Sequence, residues 1–121
     1  MGKKILLIED EEVIIRLLNR KLTTIGYEVV LAMDGDEGLE KMREQRPDLV
    51  LLDIIMPRKG GFEVLEEMRK DSNLAGIPVI IISNSGQPLE LERAKSLGVS
   101  DWLVKAEFDP KEVVEKIKKY I

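Results

Sequence analysis

Short aliphatic runs alternate with segments of helical periodicity along this chain of 121 residues. Five runs have the length and β-branched content of strands, the fifth more weakly than the others, and they span residues 4–8, 27–32, 48–53, 77–83 and 101–104. Between and after them, apolar residues recur at helical spacing within residues 13–22, 38–42, 64–68, 89–97 and 113–121. Continuously apolar strands separated by amphipathic helices predict a parallel sheet with helices on both faces.

The segment order is a βα unit repeated five times, which predicts an α/β, doubly wound, three-layer domain over residues 1–121. In such folds the functional crevice lies beyond the carboxyl ends of the strands. Gly26, Gly76 and Gly98 follow the helical segments, and we expect each of them to end a helix in the left-handed conformation.

Composition excludes several classes of function. The chain has 19 basic and 23 acidic residues, and its net charge of -4 gives no attraction to nucleic acid or to an anionic membrane. It contains no cysteine and no histidine, which excludes disulfides, thiolate chemistry and imidazole ligands. After Lys3 and Lys4, a run of only four apolar residues precedes Glu9, which is too short for a signal peptide or a membrane span. We therefore expect a cytoplasmic protein without direct nucleic-acid binding or membrane insertion.

Polar side chains stand at the ends of four predicted strands. Glu9 and Asp10 follow the first strand, and Asp53, Ser83 and Lys105 lie at the ends of the third, fourth and fifth. Because the carboxyl ends of parallel strands share one edge of the sheet, we expect these groups to converge. Carboxylates about 4 Å apart repel by roughly 4 kcal/mol at an effective dielectric constant of 20, so the cluster requires a cation.

The type of ligand indicates which cation and which chemistry. A few carboxylates that leave positions for water and phosphate oxygens suit Mg²⁺ better than Ca²⁺, which prefers a larger oxygen cage. An aspartate beside Mg²⁺ can act as a nucleophile toward a phosphoryl group. Lys105 and Ser83 would then hold the phosphoryl oxygens. These residues predict that Asp53 is a phosphoryl acceptor.

Four motifs carry a family resemblance over essentially the full chain. They are, in order, LLIEDEE, LVLLDIIMPRKGGFEVL, VIIISNSG and GVSDWLVKAEF, and together they resemble the receiver domain of two-component response regulators. The resemblance rests on the order and strand-like spacing of all four motifs. It implies a flavodoxin-like sheet with the strand order 2-1-3-4-5.

The resemblance also implies residue roles around the acceptor. Glu9 and Asp10 match the Mg²⁺-binding acidic pair, and Asp53 matches the phosphorylated aspartate. The backbone carbonyl of Ile55 matches a further metal ligand. At the same position, the bulky Ile55 side chain is expected to obstruct the attacking water and so to lengthen the lifetime of the phosphoryl group.

Further matches concern the response to phosphorylation. Ser83 matches the hydroxyl residue that follows the phosphoryl group, and Lys105 matches the phosphate-pairing lysine. Trp102 stands at the position of the switch aromatic, which is usually Tyr or Phe, and Gly61 matches the loop glycine.

Two positions depart from the family pattern. Ala106 follows Lys105 where the family usually has a proline in a cis peptide, and a cis bond before a residue other than proline costs roughly 2.5 to 4 kcal/mol. Asn84 stands where a small residue such as alanine is common beside the phosphoryl site. Both departures predict altered kinetics of phosphorylation or hydrolysis rather than loss of function.

The implied function is a signalling switch rather than an enzyme, although such a switch assists its own phosphorylation and dephosphorylation. A partner histidine kinase or phosphotransfer protein would phosphorylate Asp53, and Ser83 and Lys105 would then move inward. This movement would change the surface formed by the fourth helix, the fifth strand and the fifth helix, which a downstream protein would bind. We expect a stand-alone receiver, since no output domain follows Ile121.

Other interpretations remain open. The acidic pair could cap the first helix, and a turn serine, a solvated lysine and a packing tryptophan are structural alternatives for Ser83, Lys105 and Trp102. An adaptor that is never phosphorylated would use the same scaffold for protein contacts alone. A haloacid-dehalogenase-like phosphatase also uses a strand-end aspartate, but Ile55 occupies the second acidic position of its D-x-D motif. Neither nucleotide-binding motif, the P-loop nor G-x-G-x-x-G, is present.

Overall fold

The computed structural model describes residues 2–56, 58–84, 87–105 and 109–121. Its five strands are β1 (Lys4–Ile8), β2 (Glu28–Ala32), β3 (Leu49–Asp53), β4 (Val79–Ser83) and β5 (Asp101–Val104). Its five helices are α1 (Glu12–Ile25), α2 (Gly35–Gln45), α3 (Gly61–Lys70), α4 (Pro88–Ser96) and α5 (Pro110–Tyr120). No helix within these ranges has the length and apolar content needed to cross a bilayer.

The strands form one parallel sheet in the order β2-β1-β3-β4-β5, which confirms the predicted doubly wound fold. The register of the strands decides which residues meet at the carboxyl edge. Ile8 of β1 pairs with Leu52 of β3, so Glu9 and Asp53 follow at the same level. Asp53 in turn pairs with Ile82, which precedes Ser83. The sheet therefore brings the ends of three strands to one place.

Two apolar clusters fix the helices on opposite faces of the sheet. On one face, α1 and α5 contribute the buried residues Leu18, Leu22, Val113, Val114 and Ile117. On the other face, α2 and α3 contribute Leu39, Met42, Val64, Leu65 and Met68. Since both faces are covered, the strands are apolar on both sides, as their sequences predicted.

The helix ends correct one prediction. Gly26 (φ 118°) and Gly98 (φ 79°) adopt the expected left-handed conformation after α1 and α4. The prediction for Gly76 was wrong, because α3 already ends at Lys70 and Gly76 has no positive φ. A non-glycine residue, Arg46 (φ 46°), is the left-handed cap of α2. Ala106, and with it the Lys105–Ala106 peptide bond, lies outside the described residues.

The loop after β3 is held close to the end of that strand. The Gly61 N–H donates to the Ile54 carbonyl over 2.8 Å. A Cβ atom at Gly61 would lie 2.5 Å from the Asp53 carbonyl oxygen and 2.8 Å from Ile54 Cα. Backbone atoms cannot yield as a flexible side chain can, so only glycine permits this close approach.

Candidate functional site

Three carboxylates meet at the carboxyl edge of the sheet. Glu9 and Asp10 follow β1 and Asp53 ends β3, and each offers one oxygen within 4.8 Å of the other two. Glu9 has no exposed surface and Asp53 is 4% exposed, so these two are removed from the water that would screen their charges. The three carboxylates that were predicted to converge therefore do lie close together.

Glu9 uses its two oxygens differently. Its Oε1 accepts hydrogen bonds from the backbone N–H groups of Asp10 and Glu11, each over 3.1 Å. Both N–H groups precede α1, which begins at Glu12, so the Glu9 side chain binds the turn before the helix and does not cap the helix itself. However, Oε2 is buried and accepts no hydrogen bond from any residue in the described ranges. A buried, unpartnered carboxylate oxygen beside two further carboxylates is a suitable metal ligand.

Lys105 neutralises part of this negative charge. Its side chain is 5% exposed, and its Nζ lies 3.0 Å from Glu9 Oε1 and 3.3 Å from Asp53 Oδ2. A third carboxylate, from Glu11, lies 2.9 Å from the same Nζ. Glu11 was not among the predicted site residues, although it directly follows the acidic pair in the run EDEE.

Burial and these contacts change the pKa values of the buried groups. Burial raises the pKa of Glu9 to about 7, against the opposing hydrogen bonds from the Glu11 backbone and from Lys105. Burial also raises the pKa of Asp53, although the Lys105 charge acts in the other direction. Burial lowers the pKa of Lys105, but its hydrogen bonds to Glu11 and Glu9 outweigh this effect and raise it to about 12. Lys105 therefore stays cationic at neutral pH.

A cavity of about 210 Å³ opens over these groups. It is lined by Asp10, Glu11, Asp53, Ile55, Asn84 and Lys105. The Ile55 backbone makes a hydrogen bond to the Asp53 carboxylate, and Ile55 as a whole is 71% exposed and lines the cavity. Asn84 is exposed at the end of β4. The cavity is therefore open to a small group next to the Asp53 carboxylate.

Ser83 and Trp102 occupy different positions relative to this cavity. Ser83 is buried at the end of β4, where its carbonyl accepts a hydrogen bond from the Lys105 N–H over 2.6 Å. Trp102 lies in β5 opposite Ile81 and packs against the apolar cluster beneath α2 and α3. It also lines a separate cavity of about 200 Å³ next to α4. Trp102 is thus connected to the site through β5 and does not line the acidic cavity.

Charged contacts fix the loop between β3 and α3, which carries Ile55. Arg58, at φ 66°, lies 3.1 Å from Asp34 Oδ2. Lys59 lies 3.0 Å from Asp36 Oδ1 and also pairs with Glu67. The contacts with Asp34 and Asp36 join the loop to the start of α2, and the contact with Glu67 joins it to α3. No motif in the sequence predicted them.

The donor set fits Mg²⁺. All three side chains are hard oxygen ligands, which Mg²⁺ prefers, and Mg²⁺ keeps several positions for water or phosphate when only a few carboxylates bind it. The buried oxygen of Glu9 without a hydrogen bond supports the same interpretation.

The chain is similar to proteins of one known family over most of its length. The family model for the response regulator receiver domain matches residues 5–118. A probable transcriptional regulator, ycf27 of Cyanophora paradoxa, is 41% identical over 116 residues, covering 96% of this chain and 47% of that relative. The chain therefore spans about half the length of the curated relatives it matches.

Solved structures give the same result for the fold. The chemotaxis protein CheY4 of Vibrio cholerae superposes with a TM-score of 0.93 at 29% identity, and the match covers 100% of both chains. The phosphorylated form of the cyanobacterial phytochrome response regulator RcpA has a TM-score of 0.82 at 33% identity, covering 98% of this chain and 91% of that one.

The raised pKa of Glu9 predicts a pH-dependent stability of the metal-free protein. A carboxyl group whose pKa rises from 4.5 to about 7 on folding stabilises the fold fully below pH 4.5, and this contribution is lost as the pH rises through 7. Glu9→Gln, which keeps the shape but cannot titrate, should remove this loss, which is on the order of 3 kcal/mol. Urea unfolding with a chelator from pH 4.5 to 8 measures the difference. If the free energy of unfolding changed with pH in the same way for the two proteins, the prediction would be contradicted.

Proposed function

The chain belongs to the response regulator receiver domain family of two-component signalling, and we propose that its Asp53 accepts a phosphoryl group in a Mg²⁺-dependent reaction. The observation that carries this proposal is the position of Asp53, which lies between a carboxylate pair and an ammonium at the base of an open cavity. The phosphorylated state of RcpA, a relative at 33% identity, supports the same chemistry.

Receiver domains generally bind Mg²⁺, and in this chain Glu9, Asp10, Asp53 and the Ile55 carbonyl would hold it. When bound, the ion supplies positive charge for the carboxylates and for the oxygens of the incoming phosphoryl group. This charge matters because Lys105 alone cannot balance the carboxylates around it. The carboxylates repel one another in the metal-free site. A bound cation relieves this repulsion, which therefore favours cation binding.

The acceptor step follows from the chemistry of a carboxylate. An Asp53 oxygen attacks phosphorus, the bond from phosphorus to the donor's leaving atom breaks, and a mixed acyl phosphate forms. In a histidine kinase or phosphotransfer protein, that leaving atom is an imidazole nitrogen. This chain has no histidine, so a phosphohistidine donor must be supplied by a partner protein. Lys105 stabilises the negative charge on the transferred oxygens and Ser83 donates its hydroxyl to one of them.

The new charge on Asp53 then changes the contacts at the ends of β4 and β5. Ser83 and Lys105 are directly joined through their backbones, so a shift of either side chain affects both strands. Trp102 lies within β5 and contacts the cavity beside α4, which makes it the residue that passes this shift to the surface. A downstream protein binds the face formed by α4, β5 and α5. In this account the chain is a switch with no substrate of its own to turn over.

The first prediction from this proposal concerns the site of modification. Incubation with acetyl phosphate and Mg²⁺ should add one phosphoryl group, detected as intact mass and removed by hydroxylamine, which cleaves acyl phosphates. Asp53→Asn should abolish the gain, whereas Asp101→Asn, at the first residue of β5, should keep it. A phosphoryl group on the Asp53→Asn protein would contradict the assignment, and no gain in any protein would favour a non-phosphorylated adaptor.

The second prediction concerns the phosphoryl lifetime. The exposed apolar side chain of Ile55 at the cavity mouth should hinder the water that hydrolyses the acyl phosphate. Ile55→Asn should therefore shorten the lifetime severalfold, as measured by loss of phosphoprotein after removal of the donor. Ile25→Asn is a matched control, because Ile25 is also an exposed isoleucine and is the last residue of α1, whereas the first residue of α1 lies next to the site. An unchanged lifetime in Ile55→Asn would disprove this role.

A further inference from the structure

Among the described residues, three carboxylates contact the Lys105 ammonium, and the proposed reaction uses two of them. Glu9 and Asp53 belong to the acidic cluster that would hold Mg²⁺, whereas Glu11 does not. Yet Glu11 makes the shortest of the three contacts, at 2.9 Å, and lines the reaction cavity. Its role therefore differs from that of the metal ligands.

Hydrogen bonds hold the backbone of Glu11 in place, but its side chain does not cap the helix that it precedes. Glu11 is the N-cap residue of α1, its N–H donates to Glu9 Oε1, and its carbonyl accepts from the Ile15 N–H. An N-cap side chain commonly folds back to accept a hydrogen bond from the helix, but the Glu11 carboxylate makes no such cap. It extends across the cavity to Lys105 instead.

The other two contacts change during the proposed reaction. A cation at the acidic cluster would draw on the carboxylate charges of Glu9 and Asp53, and phosphorylation would convert the Asp53 carboxylate into a mixed acyl phosphate anhydride. Both changes weaken the attraction of these two residues for Lys105. A lysine ammonium on a flexible four-carbon stem keeps no defined position without a partner.

We propose that Glu11 is a positioning residue that holds the Lys105 ammonium at the edge of the cavity, where it meets the incoming phosphoryl oxygens. This inference rests on the proposed function and adds a residue outside the acidic pair to it. Glu11 touches neither the acceptor carboxylate nor the phosphoryl group in this account, and it acts through Lys105 alone. Its partly exposed side chain, 51% accessible, is compatible with a lateral contact that leaves the donor's path open.

The kinetic test compares two neighbouring glutamates. Glu11→Gln should lower the rate of phosphorylation at saturating acetyl phosphate and Mg²⁺ by about tenfold, since a loosely held ammonium stabilises the transition state less well. Glu12→Gln makes the same change in net charge one residue later, where the side chain pairs with Arg16, and should leave the rate within about twofold of the wild type. An equal rate or a faster rate in Glu11→Gln would overturn the proposal.

A double-mutant cycle shows whether Glu11 acts through Lys105. In a Lys105→Ala background, the further change Glu11→Gln should have no effect on the phosphorylation rate, because the group that Glu11 positions is already missing. If Glu11→Gln slows phosphorylation by the same factor in the Lys105→Ala background as in the wild type, Glu11 does not act through Lys105 and the proposal is wrong.

A spectroscopic measurement separates this inference from the proposed function. In ¹H–¹⁵N spectra of the lysine ammonium groups with Mg²⁺, the Lys105 signal, assigned by its loss in Lys105→Ala, should be visible in the wild type and in Glu12→Gln. It should disappear by fast exchange with water in Glu11→Gln. A signal that persists in Glu11→Gln overturns the positioning role. If no protein takes up a phosphoryl group while the spectra behave as expected, the proposed function fails and the positioning contact stands.

Discussion

The contact between one buried ammonium and three carboxylates is the interaction on which the rest of the site depends. Lys105 lies within 3.3 Å of oxygens from Glu9, Glu11 and Asp53, and its own side chain is almost fully buried. A single positive charge cannot balance this set. Burial, which disfavours the charged form, raises the pKa values of Glu9 and Asp53 despite the opposing effect of Lys105. The site thus carries an electrostatic cost that a divalent cation would relieve.

The sheet makes this arrangement possible because it supplies positions that side chains alone could not hold. Parallel pairing sets Glu9 and Asp53 at one level, and the β4–β5 pairing sets Lys105 one residue beyond the Ser83–Val104 pair. Apolar clusters on both faces keep the strands rigid under the repulsion at their ends. In this way the apolar core of the sheet holds the repelling carboxylates at the strand ends in place.

The sequence predicted the sheet well because apolar periodicity and strand-end polarity are local signals. It predicted the convergence of Glu9, Asp10, Asp53 and Lys105 for the same reason, since parallel topology alone brings strand ends together. The sequence did not predict the ion pairs of Lys59 with Asp36 and of Lys105 with Glu11, because these pairs depend on side-chain directions in three dimensions. Gly76 was misjudged because α3 ends six residues earlier, at Lys70, before a separate turn.

The central claim is that the acidic edge of the sheet is a divalent cation site, and paramagnetic broadening by Mn²⁺ tests it most directly. In ¹H–¹⁵N spectra with substoichiometric Mn²⁺, the amide signals of Asp10, Ile54 and Ile55 should broaden beyond detection. Those of Arg43 and Leu74, which line a cavity at the opposite end of the sheet, should be unaffected. Broadening centred elsewhere, or equal broadening of both groups, would contradict the account.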